Sequence, residues 1–215
     1  MSRLKKIDLS KNIWGSYTLQ WEYLSRELFW GKIRKFIDKK DLIIECCCGT
    51  GDFISEKSSE NRNKKYIGID YSYTVLQRAV KKSHRQNLDN VKFIYNDINK
   101  IFSDFDKSLK NNLKKIYINF PDPWPKRKHW KRRVIQTDFL NKIYNIMSNS
   151  TKLIIITDHD GYAKWIVKKL DKLSNKFSSK NKNWYTLKQD LTESSYYKKA
   201  MKKNNNIYYF EVLKK

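Results

Sequence analysis

Apolar residues along this chain gather in short solid runs, and between the runs they recur at helical spacing. "DLIIECCC" at 41–48, "KKYIGID" at 64–70, "NVKFIYND" at 90–97, "KKIYINF" at 114–120 and "TKLIIITD" at 151–158 are the runs. Solid apolar stretches of this length, bounded by turn residues, predict strands buried on both faces. The stretch from Asp52 and those at about 72–86, 134–148 and 159–174 predict helices, the second with Val75, Leu76 and Ala79 inward. Upstream, residues 17–38 read as one long amphipathic helix carrying Leu19, Tyr23, Leu24, Leu28 and Ile33. Strands alternating with helices predict a mostly parallel, doubly wound sheet with helices on both faces. The alternating "WYTLKQDL" at 184–191 and "IYYFEVL" at 207–213 add an antiparallel hairpin edge, which brings the strands to seven. The polar stretch 174–183 reads as a surface loop. One α/β domain over 1–215 is expected, a helical extension at 1–40 followed by a core at 41–215.

Composition narrows the partners. Hydrophobic content of 40% and aromatic content of 14% exclude a disordered chain despite a mean hydropathy of -0.80. A net charge of +24 points to polyanions, nucleic acid before an anionic membrane. An AT-rich composition explains part of the lysine, including "KKNNN" at 202–206, but not the arginines and aromatics of 124–133. No apolar run approaches the roughly 20 residues of a membrane span, and the N-terminus lacks an apolar signal core. Cys46, Cys47 and Cys48 are consecutive, so they cannot converge on a metal or form an ordinary disulfide framework. His84, His129 and His159 show no ligand spacing. These features predict a cytoplasmic protein without metal and without membrane contact, a monomer or homodimer.

Candidate chemistry collects at the strand ends. All three prolines stand in "NFPDPWPKRKHWKRR" at 119–133, where they rule out helix and central strand and predict a stiff loop. In doubly wound sheets ligands bind beyond the carboxyl ends of the strands. Here those ends carry Glu45, Asp70, Asp97, Asp122 and Asp158 in turn, five acids in a strongly basic protein. Gly49 and Gly51 allow close approach to the first turn, and Asp70 lies where an acid accepts both ribose hydroxyls. Asp97 either accepts from an adenine amine or caps a helix. Acids around a nucleoside pocket suit a cationic cofactor such as S-adenosyl-L-methionine. A pyrophosphate cofactor prefers cations and helix N-termini.

The proline segment and its basic run resemble the signature of the bacterial tRNA (guanine-N7)-methyltransferases. The similarity extends from about Glu45 to Phe210, through the Glu-x-x-x-Gly-x-Gly turn, Asp70, Asp97 and the Thr157–Asp158 pair. It implies the Rossmann-like fold of class I methyltransferases and methyl transfer from S-adenosyl-L-methionine to N7 of a guanine in the tRNA variable loop. Cofactor contacts are implied for Glu45, Gly49, Gly51, Asp70, Asp97 and Asp122, and Asp122 is the implied catalytic residue. Lys126, Asp158, Ser194 and Tyr197 match substrate-binding positions. The chain departs from the family pattern at Cys47, which replaces the first turn glycine, and at Tyr197, which replaces an acid or amide.

N7 has a lone pair and no proton to lose, so the implied reaction calls for alignment rather than a strong base. Asp122 either orients the guanine or holds the cofactor, and Trp124 either stacks on the base or fills the loop's underside. Arg127, Lys128, His129, Lys131, Arg132 and Arg133 are expected to meet the RNA backbone. Two alternatives stand beside this reading. An adenine amino-methyltransferase is disfavoured because Phe120 separates Asn119 from Pro121. A non-catalytic RNA-binding protein on a decayed methyltransferase fold is motivated by Cys47 and Tyr197.

Overall fold

A computed structural model describes residues 10–19, 21, 24–187 and 206–215. The chain divides into two compact units, Met1–Ile101 and Phe102–Lys215. In the first, α1 (Lys11–Tyr17) and α2 (Arg26–Ile37) precede β1 (Leu42–Cys46), α3 (Asp52–Glu60), β2 (Lys65–Asp70), α4 (Tyr73–Arg85) and β3 (Val91–Tyr95). The three strands pair in parallel in the order β3-β2-β1, with Ile44 opposite Ile67 and Ile67 opposite Lys92. Strand β1 is buried along its whole length and β2 at all but its first residue. Each fully buried Ile or Leu contributes about 1.5–3 kcal/mol. Helices α3 and α4 pack on β2 and β3. The amphipathicity of α4 is marked: Leu76, Ala79, Val80 and Ser83 are buried while cations line its outer side. The first unit ends within α5 (Ile98–Ser103).

Of the single helix expected over 17–38 the structure forms α2, whereas α1 ends at Tyr17 where that range begins. Thr18 leaves helical geometry at φ -112 and ψ 147, and its hydroxyl donates to the Trp14 carbonyl. The Leu19 amide then donates to Phe93 O at 2.8 Å, so the chain runs beside β3. Ser25 starts α2 afresh, its hydroxyl accepting from the Leu28 amide. The apolar period of 17–38 therefore mixed two elements: Leu19 is buried beside the sheet, whereas Leu28 is 59% exposed. Tyr23 lies outside the described residues. Trp14 packs on Tyr73 and Trp21 on Phe29 and Trp30, and the Tyr17 hydroxyl donates to Ser83 O.

In the second unit, β4 (Leu113–Asn119) and β5 (Lys152–Thr157) pair in parallel, with α6 (Thr137–Ile146) between them and α7 (Asp160–Asp171) after β5. Strand β8 (Tyr208–Lys214) pairs antiparallel with β5. Along its other edge β8 takes β7 (Tyr185–Leu187) and β6 (Phe177–Ser178). The expected closing hairpin is thus present in β7 and β8. Strand β6 is a correction, since it lies within the stretch read as a loop. Its Phe177 is fully buried and stacks edge-on against Tyr144. One buried aromatic among polar residues is too little pattern to announce a strand. No described helix is long and apolar enough to cross a membrane.

Candidate active site

In the first unit the acids stand at the carboxyl ends of three adjacent parallel strands. Glu45 is buried in β1, opposite Gly68 of β2. The chain then turns through Cys47, which holds φ 57, a left-handed conformation costing a non-glycine residue roughly 1–2 kcal/mol. Here is where the missing turn glycine registers: the backbone keeps the glycine-like shape and carries a side chain. Gly49 follows at φ 55, and its amide donates to Asp70 Oδ2 at 2.9 Å. Asp70 Oδ1 accepts from the Ser72 amide, also at 2.9 Å. One buried carboxylate therefore ties the turn after β1 to the turn after β2. Gly51, at φ 68, starts α3; a Cβ there would lie 2.7 Å from the Cβ of Ala79. Asp97 Oδ1 accepts from the Asn99 amide and so caps α5, while the residue remains exposed. Of its two readings the helix cap is therefore realised, and an exposed carboxylate still leaves room for a ligand amine.

Electrostatics at this turn favour a cation. The Cys48 thiol is pushed well up, first by burial and then by the charges of Glu45 and Asp70. Burial likewise raises the Cys46 thiol, with Cys47 and Glu45 adding to it. Both buried thiols therefore stay protonated at neutral pH. Burial disfavours any charge here, but the coulombic contribution of Glu45 and Asp70 favours a sulfonium or ammonium group over an anion.

The second unit carries the proline loop. Phe120 leaves β4 at φ 47, donates its amide to Ile156 O at 2.8 Å and packs on Ile154, Ile156 and Ile207. Pro121 is buried, and Asp122 is exposed immediately after it. The basic run continues as a 3-10 helix over Arg127–Arg132. Lys126, Arg127, Lys128, Lys131 and Arg132 are exposed on it. His129 is half-buried against the Trp124 ring, and the Arg132 guanidinium lies 5.0 Å from that ring's centroid. Trp124 thus lies beneath the basic helix.

Arg133 departs from the expectation that it meets RNA. It is 3% exposed. Its Nε donates to Pro123 O at 2.7 Å and its Nη2 to Trp124 O at 3.4 Å. The guanidinium sits among Trp130, Tyr162 and Trp165, with centroids at 4.8, 5.1 and 5.0 Å. Trp130 Nε1 donates to Pro125 O at 3.2 Å. Prolines supply no amide to close this loop, so its carbonyls are gathered by side chains instead. No sequence signal separates this clamp from the five cations before it. The exposed surface is correspondingly one cation smaller.

Asp158 is half-buried just after β5. The neighbouring His159 caps α7 through Nδ1, accepting from the Tyr162 amide. Ser194 and Tyr197 lie outside the described residues. The first unit thus brings together Glu45, Gly49, Gly51, Asp70 and Asp97, and the second carries Asp122, Lys126, Asp158 and the exposed basic helix.

A family model described as "Putative methyltransferase" matches residues 39–210. The chain is 30% identical over 170 residues to a Mycoplasma genitalium protein named tRNA (guanine-N(7)-)-methyltransferase, an overlap of 75% of this chain and 79% of the relative. A protein of the same name from Buchnera aphidicola subsp. Baizongia pistaciae is 30% identical over 174 residues, covering 80% of this chain and 71% of the relative. A solved antibiotic-related methyltransferase superposes with a TM-score of 0.58 at 19% identity, over 100% of this chain and 98% of the other. That likeness concerns the fold alone, which is the α/β Rossmann-like fold of class I methyltransferases.

Proposed function

The chain belongs to the tRNA (guanine-N7)-methyltransferase family, and from that premise we propose that it transfers a methyl group from S-adenosyl-L-methionine to N7 of a guanine in the tRNA variable loop. The observation that carries the reading is the pair of buried carboxylates Glu45 and Asp70 on adjacent strand ends, in a protein of net charge +24. Their negative charge, which adds to burial in raising the Cys48 thiol, fits a cofactor with one sulfonium and one ammonium charge. Gly49, at φ 55, brings the turn past the strand end without a side chain, while Gly51 lets the start of α3 pack against Ala79.

S-adenosyl-L-methionine supplies an electrophilic methyl group on sulfur. Glu45 and Asp70 hold the cofactor's charged and hydroxyl groups, and Asp97 accepts from its base. Guanine N7 presents a lone pair and no proton, so no residue is needed as a strong base. Asp122 accepts from the guanine N1–H and N2 amine and points N7 for in-line attack. Lys126, Asp158, Ser194 and Tyr197 complete the substrate contacts. Alignment of this kind is worth several powers of ten in rate. The exposed cations of 126–132 seat the RNA backbone, which positions without reading sequence.

Incubating unmodified tRNA with labelled S-adenosyl-L-methionine and digesting it to nucleosides tests the proposal. Label in 7-methylguanosine is expected. Label in a methylated adenine would favour the amino-methyltransferase, and no binding heat with the cofactor would favour the decayed fold.

A further inference from the structure

Helix α4 presents Arg78, Lys81, Lys82 and Arg85 on its outer side, and with Gln86 they line a cavity of about 380 Å³. The spacing i, i+3, i+4, i+7 places all four on one stripe. Like charges three and four residues apart destabilise a helix, so this stripe is unfavourable for folding by itself. Asp52 of α3 pairs with Lys82. Arg78 Nε is buried and has no hydrogen-bond partner among the described residues.

General features of the chain do not account for the stripe. Lysine bias fills a surface with lysine, yet two of the chain's nine arginines stand here, seven residues apart. Stabilisation by the helix dipole is limited to the last turn, where Lys82 and Arg85 lie. Arg78 is the sixth of thirteen residues and gains nothing from it. A guanidinium presents a planar fork that fits a phosphate bidentately. Arg78 and Arg85 are about 10 Å apart along the helix axis, a separation that lets the two forks meet two phosphates of one nucleic-acid strand.

We propose that this cleft on α4 is a second docking site for the tRNA sugar-phosphate backbone, separate from the basic helix at 127–132. The proposal rests on the reading of tRNA as substrate and adds a surface to it. The site contributes affinity and placement of the RNA, and takes no part in methyl transfer.

The test compares three proteins for binding of unmodified tRNA across a salt series: wild type, Arg78→Gln/Arg85→Gln, and Lys168→Gln/Lys172→Gln. The last removes the same charge from exposed positions at the C-terminal end of α7 and just beyond it. With two phosphates released, the cleft variant should flatten the slope of log affinity against log salt by roughly 1.4–1.8. Its KM for tRNA should rise severalfold, with turnover at saturating tRNA and the cofactor dissociation constant unchanged. The α7 variant should keep the wild-type slope. Should the Arg78 change unfold the protein, Arg85→Glu at an exposed position reads the same surface. A wild-type slope in the cleft variant, or an equal loss in the α7 variant, would overturn the proposal and leave the methyltransferase reading standing. Loss of binding to phosphatidylserine vesicles with tRNA binding intact would assign the cleft to lipid and overturn it too. If wild type neither binds tRNA nor makes 7-methylguanosine, the underlying reading itself fails.

Discussion

Asp70 serves two masters, because the same carboxylate that suits ribose hydroxyls already accepts two backbone amides, from Gly49 and Ser72. Alanine there would release both turns along with the ligand. Asparagine keeps an acceptor while removing the charge, so Asp70→Asn should weaken S-adenosyl-L-methionine binding by about 1.5–3 kcal/mol in a folded protein. Calorimetry checks this, and an unchanged dissociation constant would remove Asp70 from the pocket. Asp122 is exposed and lies between two prolines. Asp122→Ala should lower turnover at least about a hundredfold with tRNA affinity nearly unchanged. A loss of cofactor affinity instead would assign Asp122 to the cofactor. Arg133 acts one step away, as a positioning residue. Lysine preserves its charge but cannot reach Pro123 O and Trp124 O together as a fork does. Arg133→Lys should therefore lower kcat by about tenfold or more, in keeping with the cost of misplacing a reacting group. The salt slope of tRNA binding should stay at the wild-type value, because the buried guanidinium does not meet phosphate.

At the scale of elements, the prolines and the basic helix divide their labour. The loop from Phe120 to Pro125 is held by Arg133 and Trp130, while the 3-10 helix displays cations outward. Removing Arg127, Lys128 and Lys131 together should flatten the salt slope by about two units if all three meet phosphate, at 0.7–0.9 each. Filter binding at several salt concentrations measures it. Cofactor binding should survive this change, because the acids of β1 and β2 belong to other elements. An unchanged slope would make the run a solvated surface only. Helix α4 joins two tasks in the same manner: its inner face packs on β2 and β3, and its outer stripe is free to meet a polyanion.

For the whole molecule, a charge of +24 favours polyanions over almost any other partner, and the buried acids stand out against it. A cofactor bound by the native state alone raises stability by mass action. At a hundredfold excess over its dissociation constant the gain is about 2.7 kcal/mol. For a chain of this size that corresponds to a rise in Tm of roughly 5–11 °C. Thermal melts with and without S-adenosyl-L-methionine should show it. No shift would favour the decayed fold.

Much of this protein is legible from sequence because buried parallel strands write themselves as solid apolar runs. Strands β1, β2, β3 and β5 fall within the runs that announced them and β4 starts one residue before its run, and an acid stands at or just after each strand end. Local chemistry also sufficed for the proline loop, since proline excludes helix and central strand whatever surrounds it. What periodicity could not resolve was whether neighbouring apolar residues share an element. Leu19 and Leu28 both belong to the apolar series that reads as one helix, yet Leu19 is tied beside β3 by its hydrogen bond to Phe93 while Leu28 faces solvent on α2. Charge raises the same difficulty at Arg133. Six cations in eight positions look equivalent along a chain, and only the cage that Tyr162 and Trp165 of α7 complete beside the neighbouring Trp130 withdraws one of them from solvent. Residue type and spacing are local quantities and can be read in order; burial is a sum over neighbours that the chain acquires only when it folds.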